Sequence, residues 1–281
     1  MAKSRRAQTF DVYHPAISFT PPVVPFTSAT RVVADFRAKQ FQKQPNLQIN
    51  GNILTGSIQG EQIGAIHQVF KIPSADEYYL TVVMQLSSQW PDYGGKLPGL
   101  ADTGMASNTA NTSLIVNGVN CDNAGWGGRV ANGCRWSART GWARRQGDQI
   151  GVGSYYYATH ASTFWGQADP IPSPVTAGKW FAYVQRVKLN SIGVADGLLS
   201  YWFCNADGCK AVYHRNDIAW RAVDLPQSKI TEAWAMIYCG GRSCNHGNYA
   251  AATASLSRMT VTDGLPDFAP IAAEVKALNG G

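Results

Sequence analysis

What this chain lacks narrows it before anything it contains does. It has no run of about 18 apolar residues, so no segment is built to span a bilayer as a helix, and no membrane partner is expected. It lacks the long Leu-, Ala-, Glu- and Lys-rich periodic stretches of a helical protein. No glycine-rich phosphate loop precedes a helix, and none of the six cysteines has the two-residue spacing of a zinc knuckle. Beyond Arg5-Arg6 and Arg144-Arg145 there is no block of basic residues. The net charge of +6 is therefore scattered, unlike the gathered footprint of a nucleic-acid binder. It still favours an acidic partner, and an anionic polysaccharide also gives work to the 9 Trp and 12 Tyr residues.

Glycine (28) and proline (14) are plentiful, and strand-like runs recur at short intervals among 281 residues. The runs are Ile63–Lys71, Glu77–Gln89, Ser137–Trp142, Gly151–Thr159, Trp180–Leu189, Gly197–Phe203, Lys210–His214, Lys229–Cys239 and Ala254–Thr262. Asp196-Gly197, Asp207-Gly208 and Asp263-Gly264 supply turns between them. The pattern predicts an all-β protein, a β-sandwich of jelly-roll type with long loops and one or two short helices. The helix candidates are Val32–Phe41 and Pro270–Leu278, the second with proline at its first position and Gly280 just past its end. Residues 1–30, broken by Pro15, Pro21, Pro22 and Pro25, read as an extended arm or linker remnant, and residues 31–281 as one domain. Ala101–Asn120, rich in Asn, Thr, Ser and Gly, reads as a surface loop.

The cysteines fall into three local couples, Cys121/Cys134, Cys204/Cys209 and Cys239/Cys244, each bracketing a turn-like sequence. Local pairing is the expectation, though fifteen connectivities exist in principle. Disulfides imply an oxidising compartment and a secreted protein. Met1–Arg6 is not followed by the apolar run of a signal peptide, which suggests that a native leader has been replaced.

Three segments carry the chemistry: Gly94-Gly95-Lys96-Leu97-Pro98-Gly99-Leu100, Trp136-Ser137-Ala138-Arg139 and Ser154-Tyr155-Tyr156-Tyr157. On a strand, residues two apart share a face, so Ser137 joins Arg139 and Tyr155 joins Tyr157. With Lys96 on that face, the set holds two cations, a hydroxyl and two phenols, and no carboxylate. Such a surface suits an acidic polymer that must lose a proton beside its own carboxylate. Three consecutive tyrosines leave the register open, because a bulge would turn Tyr156 to the cleft instead. His160 shares the Tyr156 face and is a reserve base; His67, His214 and His246 read as structural or solvent-facing. Asp92 and Asp169 lie near the motifs, but nothing orders them as a glycosidase pair.

Lys96 in GGKLPGL, the spaced Ser137-Ala-Arg139, the Tyr-x-Tyr strand, and Gly178-Lys-Trp180 leading to Gln185-Arg-Val-Lys-Leu-Asn190 form an ordered set. Over about Ile63 to Asp263 the chain resembles the β-jelly-roll polysaccharide lyases of families fourteen and twenty, which cleave alginate and glucuronan. The resemblance implies an active site of Lys96, Arg139, Tyr155 and Tyr157. It calls for no metal or cofactor, and leaves open a structural calcium on loop carboxylates and carbonyls. The implied partner is an acidic polysaccharide met by a monomer.

The chemistry fits those residue types. Removing the C5 proton of a uronate builds negative charge on its carboxylate, and fixed cations and donors lower that barrier. Arg139 suits a bidentate clamp and Lys96 a point charge; Ser137 or Gln185 would add a neutral donor. A free phenol titrates near ~10, and neighbouring cations favour phenolate. Tyr157 is taken as the base and Tyr155 as its assistant or the donor to O4, with the exchange of roles open. A tyrosine-centred site leans towards mannuronate, whose C5 proton and O4 are syn. Trp126 and Trp165 are candidates for sugar subsites. The alternative readings are a non-catalytic carbohydrate-binding module on the same scaffold and a basic nucleic-acid binder, which salt-dependent DNA retention would reveal.

Overall fold

The computed structural model describes residues 30–33, 47–58, 65–91, 94–104, 115–116, 118–120, 124–125, 131, 133–159, 166–239 and 252–281. Sixteen strands lie among them: β1 (Thr30–Val33), β2 (Leu47–Asn50), β3 (Ile53–Ser57), β4 (Ile66–Ala75), β5 (Glu77–Leu86), β6 (Gly95–Asp102), β7 (Ile115–Val116) and β8 (Val119–Asn120), followed by β9 (Trp136–Gln146), β10 (Gln149–Tyr157), β11 (Gln167–Thr176), β12 (Trp180–Lys188), β13 (Gly197–Asn205), β14 (Gly208–Ile218), β15 (Ile230–Cys239) and β16 (Thr253–Thr262). An eight-stranded sheet runs β14-β13-β12-β5-β16-β3-β2, with β1 added on β16. A six-stranded sheet runs β11-β10-β9-β6-β15-β4, and β7 and β8 form a small ribbon. All pairings are antiparallel, and the two large sheets enclose one core, as expected of a jelly-roll sandwich.

Alternation explains which residues fill that core. On β5, Leu80, Val82, Met84 and Leu86 turn inward. Their neighbours Tyr79 and Val83 turn outward, beneath a helix, α1 (Phe268–Leu278), whose Ile271 and Val275 cover them. Both faces of β5 are thus apolar, a pattern set by two-sided burial. Asp267 caps α1 by accepting from the Ala269 amide at 3.0 Å, and Asn279 ties its far end to both backbone groups of Trp180. No helix among the described residues is long and apolar enough to cross a membrane.

Three expectations meet a different structure. Val32 and Val33 belong to β1 and not to a helix, and 34–41 lie outside the described residues. The sequence reading has no strand at Gln167–Thr176, yet β11 forms there despite Pro170, Pro172 and Pro174. These prolines alternate along an edge strand paired only with β10, where a missing amide hydrogen faces solvent at little cost. Ala101–Asn120 is not all loop, since Ala101 and Asp102 end β6 and β7-β8 closes the stretch. The arm of residues 1–29 lies outside the described residues. Of the cysteine couples, Cys204–Cys209 is bonded across the β13-β14 turn. Cys134 is also disulfide-bonded, whereas Cys121, Cys244 and the Cys239 side chain lie outside the described residues.

The register of the three tyrosines is decided at the sandwich edge. Tyr156 is buried and points inward, packing edge-on to Trp220 at 5.6 Å. Its hydroxyl accepts from Arg215 at 2.9 Å, while Tyr213 donates to Asp169 at 2.6 Å and Arg215 pairs with Asp169 at 3.3 Å. This clasp joins β10 and β11 of one sheet to β14 of the other. It leaves Tyr155 and Tyr157 on the outward face, and gives Asp169 a structural partner set.

A bulge settles the placement of Lys96. Gly99 pairs with Arg139, but Lys96 pairs with Gly141, so three steps on β6 match two on β9. Leu97 and Leu100 can then both point into the core, fully buried, while Lys96 and Gly99 both stay on the outward face. Uninterrupted alternation would have put Lys96 on the Leu100 side. Re-aiming one side chain is what a β-bulge does.

Gly99 is needed where the strands are closest, because a Cβ there would collide with the Ala138 carbonyl and the Arg139 Cα. Gly99→Ala should therefore cost about 1–3 kcal/mol, measured by urea unfolding. A change below about 0.5 kcal/mol, the ordinary size for a surface substitution, would contradict this packing.

Candidate active site

The outward face of the six-stranded sheet carries two rows of opposed residues. One row runs Tyr155, Arg139, Gly99, Trp234 and Val69 across β10, β9, β6, β15 and β4. The next runs Tyr157, Ser137, Ala101, Glu232 and Lys71 across the same strands. Lys96 enters beside the first row through the bulge, opposite Gly141.

Four of the sequence-predicted residues converge here. The Tyr155 ring is their hub: the Lys96 ammonium sits 4.2 Å from its centroid and the Arg139 guanidinium 5.9 Å away. The Tyr155 and Tyr157 hydroxyls are 3.0 Å apart, with the rings edge-to-face at 82°. Arg139 and Tyr157 are buried, whereas Lys96 and Tyr155 are partly exposed and form the mouth of the cluster. Arg139 also stacks on the indole of Trp234, 4.9 Å from the ring centroid.

The electrostatics follow from the crowding. Burial, and then the charge of Arg139, lower Lys96 from its ordinary value to about 7. Burial and Arg139 likewise hold His67 below the usual histidine value. His67 lies on β4 opposite Met236, on the same outward face, so it senses this site although the sequence reading left it aside. Two cations kept this close repel each other, and an incoming carboxylate relieves that repulsion. The arrangement can bind an anionic group, stabilise charge growing on it, and present a hydrogen-bonded pair of phenols to a proton beside it.

Two expected donors are corrected. Gln185 does not join the cluster: it is fully buried between the sheets, donating to the Ala138 carbonyl at 3.2 Å and to the Tyr201 hydroxyl at 2.6 Å. Tyr201 in turn donates to the Arg139 carbonyl at 3.1 Å, and Tyr183 donates to the Pro98 carbonyl at 2.9 Å. Three polar side chains of the eight-stranded sheet thus cross the core to hold the backbone around the bulge. A buried carbonyl left without such a donor costs about 1–3 kcal/mol. Ser137 stands on the expected face, but it is fully buried and donates its hydroxyl proton to the Gly125 carbonyl at 2.5 Å. It anchors that loop residue instead of offering a proton to a ligand. Trp126, Trp165, His160 and Asp92 lie outside the described residues.

Sequence reasoning missed Trp234 and Glu232. Glu232 is buried one row from Arg139, and its carboxylate accepts from the Trp234 indole N–H at 2.9 Å, the Thr103 hydroxyl at 2.8 Å and the Thr103 amide at 3.2 Å. The signal available was the two-residue spacing of Glu232 and Trp234 on a strand, which places both on one face. Among the described residues there is no group of three or more His, Cys, Asp or Glu side chains placed to hold a metal.

No protein-family model matches the chain, and no curated protein matches its sequence. Its fold does match solved structures. Alginate lyase Aly36B, as a double mutant in complex with alginate tetrasaccharide, is 13% identical with a TM-score of 0.59, over 83% of this chain and 95% of that one. The marine PL-14 alginate lyase from Aplysia kurodai is 15% identical with a TM-score of 0.55, over 75% of this chain and 83% of that one. Alginate lyase vAL-1 from Chlorella virus is 13% identical with a TM-score of 0.51, over 85% and 89% respectively. The chain is an all-β sandwich that shares the fold of these polysaccharide lyases.

Proposed function

We propose that this chain is a polysaccharide lyase that cleaves a 1,4-linked polyuronate by β-elimination. One observation carries the reading: Lys96 and Arg139 flank the Tyr155 ring, whose hydroxyl is bonded to that of Tyr157. Alginate is the first substrate to consider and glucuronan the second. The fold shared with alginate lyases supports the class of reaction, and the charge of the site supports an acidic polymer.

In this mechanism the uronate carboxylate lies against Arg139 and Lys96, which oppose the charge that grows on it as the C5 proton leaves. Tyr157 is the base, reacting in the deprotonated form that this role requires, and takes that proton. The electron pair of the C5–H bond forms the C4–C5 double bond, and the C4–O4 bond breaks. The phenol proton then passes to O4, directly or through the bonded Tyr155, which restores the phenolate. Products are a chain with an unsaturated uronate end and a chain with a new hydroxyl. Because both phenols come from one face, a substrate with its C5 proton and O4 syn, as in β-mannuronate, fits best. The Cys204–Cys209 disulfide suits an oxidising, extracellular setting.

Incubation with polymannuronate should raise ultraviolet absorbance as the conjugated double bond forms, and polyguluronate, glucuronan and hyaluronan complete the panel. Tyr157→Phe should cut the rate by roughly 10²–10⁴-fold. Retention of the polymers without any absorbance change, in the unaltered protein, would reject the lyase reading and leave a binding module.

The lowered Lys96 value gives a second expectation with a definite sign. Lys96 is charged below about 7 and neutral above it, and a bound carboxylate favours the charged form. KM for the polymer should therefore rise as pH is taken from roughly 6 to 8. Lys96→Arg, which stays protonated throughout, should flatten that rise. A KM equally steep in the arginine variant would assign the titration to another group.

A further inference from the structure

Arg139 is buried, yet its guanidinium must lie in one orientation if it is to meet a carboxylate edge-on. A ring face restrains a guanidinium through its π surface, leaving orientation within the plane to in-plane acceptors. The ring that does this is Trp234, 4.9 Å from the guanidinium carbon. Trp234 sits directly across Gly99 from Arg139, where the absence of a side chain lets ring and cation meet over β6. What fixes the ring is Glu232. Its carboxylate accepts the indole N–H at 2.9 Å and is itself held by the hydroxyl and amide of Thr103 at 2.8 and 3.2 Å.

The three side chains are each no more than 1% exposed, and Glu232 and Trp234 stand on β15, three strands along the sheet from Tyr155 and Tyr157 on β10. A fully buried carboxylate is costly unless every lone pair it presents is met by a donor. Here one of those donors is the indole that supports a cation of the site. Donation to an anion also draws electron density onto the ring, which strengthens its attraction for the guanidinium.

We propose that Glu232 is a positioning residue for Arg139, acting through the indole of Trp234. The inference rests on the lyase reading above for its kinetic consequence, though its geometric part does not. Glu232 touches neither substrate nor reacting atoms. It sets the ring, and the ring sets the cation.

A double-mutant cycle tests this. Glu232→Gln keeps the volume and removes the charge, and Trp234→Phe keeps a ring beneath Arg139 and removes the N–H donor. Each should lower kcat/KM roughly 10- to 100-fold, with the loss in kcat as well as KM because Arg139 acts on developing charge. The double variant should be no worse than the poorer single variant within about twofold, since both changes cut the same link. Losses that multiply in the double variant would overturn the proposal, as would a Glu232→Gln protein with lowered thermal stability and unaltered kcat and KM.

A readout independent of catalysis keeps the two readings apart. The Arg139 Nε–Hε nuclear magnetic resonance, assigned by its disappearance in Arg139→Lys, should shift in Glu232→Gln and in Trp234→Phe. An unmoved resonance in either folded variant overturns the coupling. Should Glu232→Gln fail to fold, Trp234→Phe carries the same measurement. If the unaltered protein makes no unsaturated product from any polyuronate, the lyase reading falls while this resonance still decides the link.

Discussion

The repulsion between Lys96 and Arg139 is the constraint around which the rest of the structure is arranged. Two cations gathered at one phenol ring, one of them fully buried, would separate in a flexible surface. Here folding holds them together, and burial first, with the charge of Arg139 second, lowers the Lys96 value. A site of this kind is prepared for negative charge before any arrives. Little reorganisation is then needed when charge develops, which is the condition under which electrostatic stabilisation is most effective.

Rigid pairing on one side and polar struts on the other keep the cations in place. Arg139 is held in a central strand between β6 and β10, and Tyr155 is its direct cross-strand partner. Behind them, Tyr183, Gln185 and Tyr201 reach from the other sheet to backbone carbonyls at Pro98, Ala138 and Arg139. Polar groups in a close-packed core are retained only when their hydrogen bonds are made. These bonds join two sheets at the point where the bulge interrupts regular pairing. At the sandwich edge, the Tyr156–Asp169–Tyr213–Arg215 clasp keeps β10 from slipping by one residue, which would exchange Tyr156 for its neighbours.

How much of this was legible in the sequence differs residue by residue. The pairing of Ser137 with Arg139 and of Tyr155 with Tyr157 needed only the two-residue period of a strand, a local rule. Arg139 and the tyrosines lie on β9 and β10, which a tight hairpin joins, whereas Lys96 comes from β6, with β7 and β8 between it and β9 in the chain. Gln185 was misplaced for a physical reason: alternation separates two faces, but in a sandwich covered on both sides it does not say which is inward. β11 was missed because its three prolines argue against a strand except at an edge, and edge position is a property of the sheet. Glu232 and Trp234 lie more than ninety residues from Arg139 in the chain, and nothing local connects them.

The sequence by itself determined the all-β class, the turns, the terminal helix and the residue types of a cationic, phenol-bearing site, because these depend on composition and short-range period. The tertiary structure alone decided that Lys96 faces that site and that Gln185 turns its back on it. It also decided which tyrosine of three points between the sheets. Each of those outcomes depends on a bulge, an edge clasp or a facing sheet, whose energies arise only when distant strands are brought into contact.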